Sequence, residues 1–146
     1  MTLELDAESV RSVARMAKAV EVALGDVDLS LPQYRLLIYL DRGDEMASAL
    51  ADKLSVSRPS VTALVDGLVE RGLVERRPDQ DDRRRIGLCL TDQGGRALAG
   101  ADEVVERRVA AVLGHLPDAE ARHAAEGLRL LGRALTVARE SRARTG

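Results

Sequence analysis

Residues 57–94 read SRPSVTALVDGLVERGLVERRPDQDDRRRIGLCLTDQG, and the apolar period changes partway along. Val61, Leu64, Val65 and Leu68 recur at helical spacing. Ser57 is suited to cap that helix, Pro59 fits its first turn, and Gly72 can end it. After Gly72 the pattern shortens. Residues 73–77 and 85–90 read as two short strands around Pro78-Asp79-Gln80-Asp81-Asp82, a polar tip rich in turn formers. In the second strand Ile86, Leu88 and Leu90 are expected on the buried face, with Gly87 and Cys89 on the open one. The stretch is therefore a helix followed at once by a hairpin.

Upstream, Ala47, Leu50, Ala51 and Leu54 give one apolar face to a short helix over 46–54. Only Ser55-Val56-Ser57 separates it from the helix over 57–71, which makes the pair a helix-turn-helix candidate. Before it, Ser30-Leu31-Pro32-Gln33 has the spacing of a capping box. That helix runs through Leu36, Leu37 and Leu40 and can close at Gly43. A first helix, capped by Asp6 and ending near Gly25, carries the stripe Val10, Val13, Ala14, Ala17 and Leu24.

Downstream, a long helix over 92–113 shows Ala97, Ala101, Val104, Val105, Val109 and Val112. Pro117 opens a last helix with two apolar stripes. Ala121, Ala124, Ala125, Leu128, Leu131 and Leu135 form one; His123, Gly127, Leu130, Ala134 and Val137 form the other. A helix apolar on two sides needs partners on two sides, and a second copy of the chain is the natural candidate. The polar tail Ser141-Arg142-Ala143-Arg144 is expected to fray. The expected fold is mainly α with a small β-hairpin wing (α+β). A winged helix-turn-helix over 30–91 is flanked by helical dimerisation regions over 1–29 and 92–146, in one continuous compact chain.

Composition narrows the function. The chain has 146 residues, enough for one core. It holds two Tyr, no Phe and no Trp, so a base-stacking platform for single strands is not expected. Net charge is −2, so any affinity for nucleic acid must come from where the charges lie. A single cysteine excludes an internal disulfide and suits a reducing compartment. The acidic first eight residues lack an apolar signal core, and no apolar run approaches a membrane span, so a cytoplasmic protein without membrane partners is expected. The two histidines, His115 and His123, form no zinc pattern with Cys89. Neither a phosphate-cradling glycine loop nor a catalytic constellation is present. No enzymatic activity, cofactor or metal is expected.

The charge distribution favours double-stranded DNA. Arg76 and Arg77 precede the hairpin tip, and Arg83, Arg84 and Arg85 follow it. An arginine on such a wing suits a narrow minor groove. Asp79, Asp81 and Asp82 partly offset that charge, and Asp82 is read as an orienting partner for Arg84. On the preceding helix the face opposite the apolar stripe shows Arg58, Pro59, Thr62, Ala63 and Asp66. Ser57, Arg58, Ser60 and Thr62 lie in its first turns, where hydroxyls can bond phosphates or bases and Arg58 can reach a guanine. The candidate contacts are thus Ser57, Arg58, Pro59, Ser60, Thr62 and Ala63 on the helix, and Arg77, Arg83, Arg84 and Arg85 on the wing. The alternative is a winged-helix protein–protein module without DNA binding. Net acidity favours it, and five arginines on one ribbon oppose it.

Several runs resemble the MarR family. Leu31-Pro32-Gln33-Tyr34-Arg35-Leu36-Leu37 resembles that family's second helix and Leu50-Ala51-Asp52-Lys53-Leu54 its third. Residues 57–73 resemble its recognition helix. Residues 76–94 resemble its wing and exit, including the Asp-x-Arg and Leu-Thr-x-x-Gly elements. The resemblance implies a homodimer whose first, fifth and sixth helices intertwine while two winged modules grip a near-palindromic site. It places Arg84 in the minor groove with Asp82 as its brace, and Ser57, Arg58, Ser60, Thr62 and Ala63 against bases and backbone. Many members are repressors released by a small phenolic or lipophilic ligand, or by cysteine oxidation. Here the first helix has no cysteine and the chain no tryptophan. Cys89 is read as a small strand residue, and the residues do not identify an effector.

Overall fold

The computed structural model describes residues 1–43 and 45–145, with Glu45 and Ser48 described by their backbone alone. The chain forms two compact units, residues 1–106 and 107–146. Helix α1 spans Ala7–Leu24, and a single 3-10 turn over Gly25–Val27 follows it. Then come α2 (Leu31–Asp41), β1 (Glu45–Met46), α3 (Ala47–Leu54), α4 (Arg58–Glu70), β2 (Val74–Pro78), β3 (Ile86–Leu90), α5 (Asp92–Leu113) and α6 (Asp118–Thr145).

Local chemistry sets the helix ends. The Asp6 carboxylate accepts from the Ser9 amide at 2.7 Å, and this bond holds its pKa below the ordinary carboxylate value. At α2 both halves of the capping box are made. The Gln33 amide donates to Ser30 Oγ (3.2 Å), and the Ser30 amide donates to Gln33 Oε1 (2.9 Å). Between α3 and α4 the chain turns on Ser55, a left-handed residue with φ 54°. The Val56 amide donates back to the Ala51 carbonyl (3.1 Å), closing α3 and aiming α4. Gly72 (φ 73°) reverses the chain between α4 and β2.

The core of the first unit is leucine and valine. Leu36, Leu37 and Leu40 of α2 meet Leu50 and Leu54 of α3 and Val61, Val65 and Leu68 of α4. Leu73, Val74 and Leu88 of the hairpin and Leu98 and Ala101 of α5 complete it. Two polar ties cross this core. Tyr34 Oη donates to Asp102 Oδ1 at 2.5 Å, joining α2 to α5, and Tyr39 Oη donates to the Lys53 carbonyl at 3.0 Å, joining α2 to α3.

The hairpin is part of a three-stranded antiparallel sheet in the order β1-β3-β2. Strand β1 is too short to carry a period, and the apolar pattern does not reveal it. It pairs with β3 through Glu45↔Leu88 and Met46↔Gly87, making β3 the central strand. Two expectations for β3 are corrected. Cys89 is buried (4% exposed), although it lies on the face opposite Leu88. It is a small side chain on a central strand, and its thiol turns toward the Glu75 carbonyl at 3.7 Å. Ile86 is 47% exposed, because it lies at the wing end of the strand beyond the core's edge.

The entry to α5 explains the Leu-Thr-x-x-Gly spacing. Thr91 Oγ1 donates to the Gly72 carbonyl (2.6 Å) and accepts from the Gly94 amide (2.9 Å), while the Thr91 amide donates to the Leu73 carbonyl (3.1 Å). A Cβ at Gly94 would overlap the Leu73 carbonyl oxygen, so only glycine lets α5 start this close to the hairpin.

Two of the apolar stripes stand largely exposed in the single chain, and one expectation, that of a frayed tail, changes. In α1, Val10, Val13, Ala14 and Ala17 are exposed, as is every residue of the helix before Met16. Leu24, the last residue of that stripe, is buried in the core, with Ala23 buried beside it and Val20 partly buried against the core. In α6 no residue is buried, and Leu128, Leu130, Leu131, Leu135 and Val137 all stand exposed. The tail 141–144 is helical. The Ser141 and Thr145 hydroxyls donate to carbonyls one turn back, and Arg142 and Arg144 place positive charge at the helix C-terminus.

Candidate nucleic-acid interface

Helix α4 buries Val61, Val65 and Leu68 and exposes Ser57, Arg58, Pro59, Ser60, Thr62 and Ala63. Its N-terminus is braced from within. Ser57 Oγ accepts from the Ser60 amide (3.3 Å) and pairs with Ser60 Oγ (2.8 Å), and Thr62 Oγ1 donates to the Arg58 carbonyl (3.1 Å). These bonds hold three short, exposed hydroxyl side chains close to the helix surface. Arg58 is the one long side chain in the exposed first turns. A helix start of this kind, with orphan amides and a positive dipole end, favours a phosphate.

The wing tip is built by its aspartates. The Asp79 amide donates to the Arg85 carbonyl (3.0 Å) and the Arg85 amide to the Asp82 carbonyl (2.9 Å). The Asp81 amide donates to Asp79 Oδ1 (3.1 Å). Asp82 Oδ1 accepts from both the Arg84 amide (3.0 Å) and Arg84 Nε (3.2 Å), while its Oδ2 accepts from Arg84 Nη2 (3.5 Å). Backbone and guanidinium of Arg84 are thus held by one carboxylate, with the Arg84 side chain 91% exposed.

The hairpin arginines divide into two groups. Arg76 pairs with Asp66 on α4, Arg77 with Glu75 at 3.2 Å, and Arg84 with Asp82. Among the described residues Arg83 and Arg85 have no ion-pair partner. Arg58, Thr62 and Arg76 line one depression of about 380 Å³ with Ala47, Val61, Val65 and Ile86. Thus α4 and the base of the hairpin form one concave surface. Among the described residues no hydrogen bond or ion pair links Arg83, Arg84 or Arg85 to α4. Asp66 was visible in sequence as an exposed helix residue, but its partner lies ten positions on, across a turn, where no local spacing rule applies.

Among the described residues no group of three or more His, Cys, Asp or Glu could hold a metal ion, and no helix is long and apolar enough to cross a membrane.

Known proteins share this architecture. The MarR family model matches residues 27–85. The uncharacterized HTH-type transcriptional regulator YfiV of Bacillus subtilis (strain 168) is 31% identical over 135 residues, covering 88% of this chain and 84% of its own. The HTH-type transcriptional repressor YetL of the same organism is 36% identical over 69 residues, 45% of this chain and 41% of its own. The crystal structure of wild-type MarR from E. coli in its apo form superposes with a TM-score of 0.76 at 19% identity, over 89% of this chain and 98% of that one. With the family model lying over the helix-turn-helix and the hairpin's first strand and tip, and one relative matched along most of both chains, the chain belongs to the MarR family of DNA-binding winged-helix transcriptional regulators, and is not an enzyme.

Proposed function

We propose that the protein acts as a homodimeric repressor on a near-palindromic operator and responds to a small-molecule effector. The observation that carries the DNA-contact part is the wing tip, where one carboxylate holds both the backbone and the guanidinium of a 91%-exposed arginine. A solvated loop has no need of that order, whereas a minor-groove probe does. Each α4 would enter a major groove with Ser57, Arg58, Pro59, Ser60, Thr62 and Ala63 toward the DNA. Arg58 reads a guanine edge, and the hydroxyls and helix start meet phosphates. Arg84, braced by Asp82, enters the flanking minor groove, with Arg77, Arg83 and Arg85 on the adjoining backbone.

The exposed apolar rows of α6 and the first half of α1 support the homodimer, since a second copy can cover both. Repression is supported by the name of YetL, a repressor matched at 36% identity. An effector would act by binding one spacing of the two recognition helices more tightly than the other.

The test is selection of bound sequences from a random duplex pool at moderate salt. An enriched palindrome with half-sites about one helical turn apart is expected. A folded, dimeric protein that enriches no sequence would defeat this proposal. Affinity should fall steeply with added salt, since arginine–phosphate contacts release counterions.

A further inference from the structure

Asp66 and Arg76 form an ion pair that belongs neither to the buried core nor to the wing tip. Asp66 lies one turn beyond Thr62 and three residues beyond Ala63, so its carboxylate stands on the face that carries them. An unpaired carboxylate there would repel a phosphate backbone. Arg76 sits on β2, in register with Leu88 of β3. The pair therefore ties the recognition helix to the base of the wing. It is a polar link between the two, whereas none joins Arg83, Arg84 or Arg85 to α4 among the described residues. Beside it lies the open depression of about 380 Å³, with Ile86 half exposed. Nearer the core Val65 and Leu68 pack with Leu73, Val74 and Leu88, so the pair acts at the outer rim of this contact.

We infer that Asp66 and Arg76 are positioning residues: their pairing locks the wing to the recognition helix, sets the reach from Arg58 to Arg84, and neutralises a carboxylate that would face DNA. This rests on the mode of DNA contact proposed above. Arg76 then works through Asp66 and not as a phosphate contact of its own, and the two roles predict opposite results for one variant.

The experiment measures affinity for the selected operator and hydroxyl-radical footprints, which report minor-groove access, for wild type, Asp66→Ala, Arg76→Ala and the double variant. Asp66→Ala should weaken binding roughly fivefold to tenfold and lose protection at the wing flanks while keeping it in the half-sites. Arg76→Ala should weaken binding further, because it leaves Asp66 facing phosphate. The double variant should be weaker than wild type by less than the product of the two single effects, since the partners act as one unit. Melting temperatures should move by no more than about 4 °C, because an exposed pair contributes little to stability. If Arg76 is itself a phosphate contact, Asp66→Ala frees it and binds as tightly as wild type or more so; that result overturns the inference. Should Asp66→Ala melt early, the reversed pair Asp66→Arg/Arg76→Asp decides: regained flank protection supports the lock, and a folded reversed pair with bare flanks refutes it. A wild type that binds no duplex would fail the DNA reading itself, whereas tight binding by both wild type and Asp66→Ala removes only the lock.

Discussion

Residues 31–104 and helix α6 carry similar apolar patterns and meet opposite fates. In the first region Leu36, Leu37, Leu50, Leu54, Val65 and Leu68 are all buried. In α6 the leucines at 128, 130, 131 and 135 are each at least 41% exposed. Both regions have amphipathic helices, and what differs is whether the unit to which each belongs buries them. An apolar period reports which face should leave water. It is silent on whether a neighbour in the same chain or another molecule will cover it. Polar residues show a parallel contrast. Around α4 and the wing, exposed charges are braced by specific partners, as in Asp82–Arg84 and Asp66–Arg76. In α6 the ion pair Glu126–Arg129 is a local neighbour contact at helical spacing. One region finds its cover and its charge partners within itself, and the other leaves its apolar rows exposed, which the proposed dimer would cover.

The hardest test of that contrast is Leu130→Asp. A charge in the second stripe of α6 should split the proposed dimer, read as a halved mass in sedimentation, while the circular-dichroism signal of the first unit persists. DNA affinity should then fall by about 100-fold or more, since two linked half-site contacts become single ones. A variant that stays dimeric and folded would place the interface on another face. Smaller effects belong to the DNA-facing region. Arg84→Ala should cost roughly tenfold to 100-fold in affinity, most at A·T-rich flanks, and equal binding by this variant would refute the wing assignment. Arg58→Ala should lower total affinity less. It should relax preference at one base position by about 1–3 kcal/mol, whereas a uniform loss across sequences would mark Arg58 as a phosphate contact.

Local features were legible in the sequence because their chemistry is local. The Ser30–Gln33 box, the Ser57 cap and the reversal at Gly72 each rest on residues within four positions. The strand β1 was not legible, since two residues show no period, and its pairing partner lies more than 40 positions away. Missing it left β3 as an edge strand in expectation, with Cys89 outward, when β3 is central and the thiol buried. Of the α1 stripe Val10, Val13, Ala14, Ala17 and Leu24, Leu24 alone is buried, because spacing alone cannot tell which half of a helix lies over the core. The tail 141–144 looked frayed by composition, yet its hydroxyls and terminal arginines satisfy the helix end. The Asp66–Arg76 pair was hidden because helix-to-strand geometry, and not sequence distance, brings the two together.

The smallest expected effect tests whether the first region is held together by its own polar ties as well as by leucine. Tyr34 is buried, and its hydroxyl donates to Asp102 at 2.5 Å between α2 and α5. Burial, then the bond to Asp102 and its charge, raise the Tyr34 pKa well above the ordinary value of 10.0. The folded state therefore holds this proton more tightly than the unfolded chain does. Below pH about 10 both states keep it, and its contribution to stability is fully present. Above that pH the unfolded chain releases the proton first, so stability falls as pH rises toward the folded value. Tyr34→Phe removes the hydroxyl, leaving Asp102 on a partly exposed edge where water can take its place. It should cost about 1 kcal/mol in urea unfolding at pH 7, the net worth of one such bond. Between pH 10 and 11 the cost should shrink, because wild type loses stability there and the variant lacks this titration. A cost that stays constant or grows across that interval would show that folding does not raise the phenol's proton affinity, and no cost at pH 7 would show that leucine packing alone holds α2 to α5.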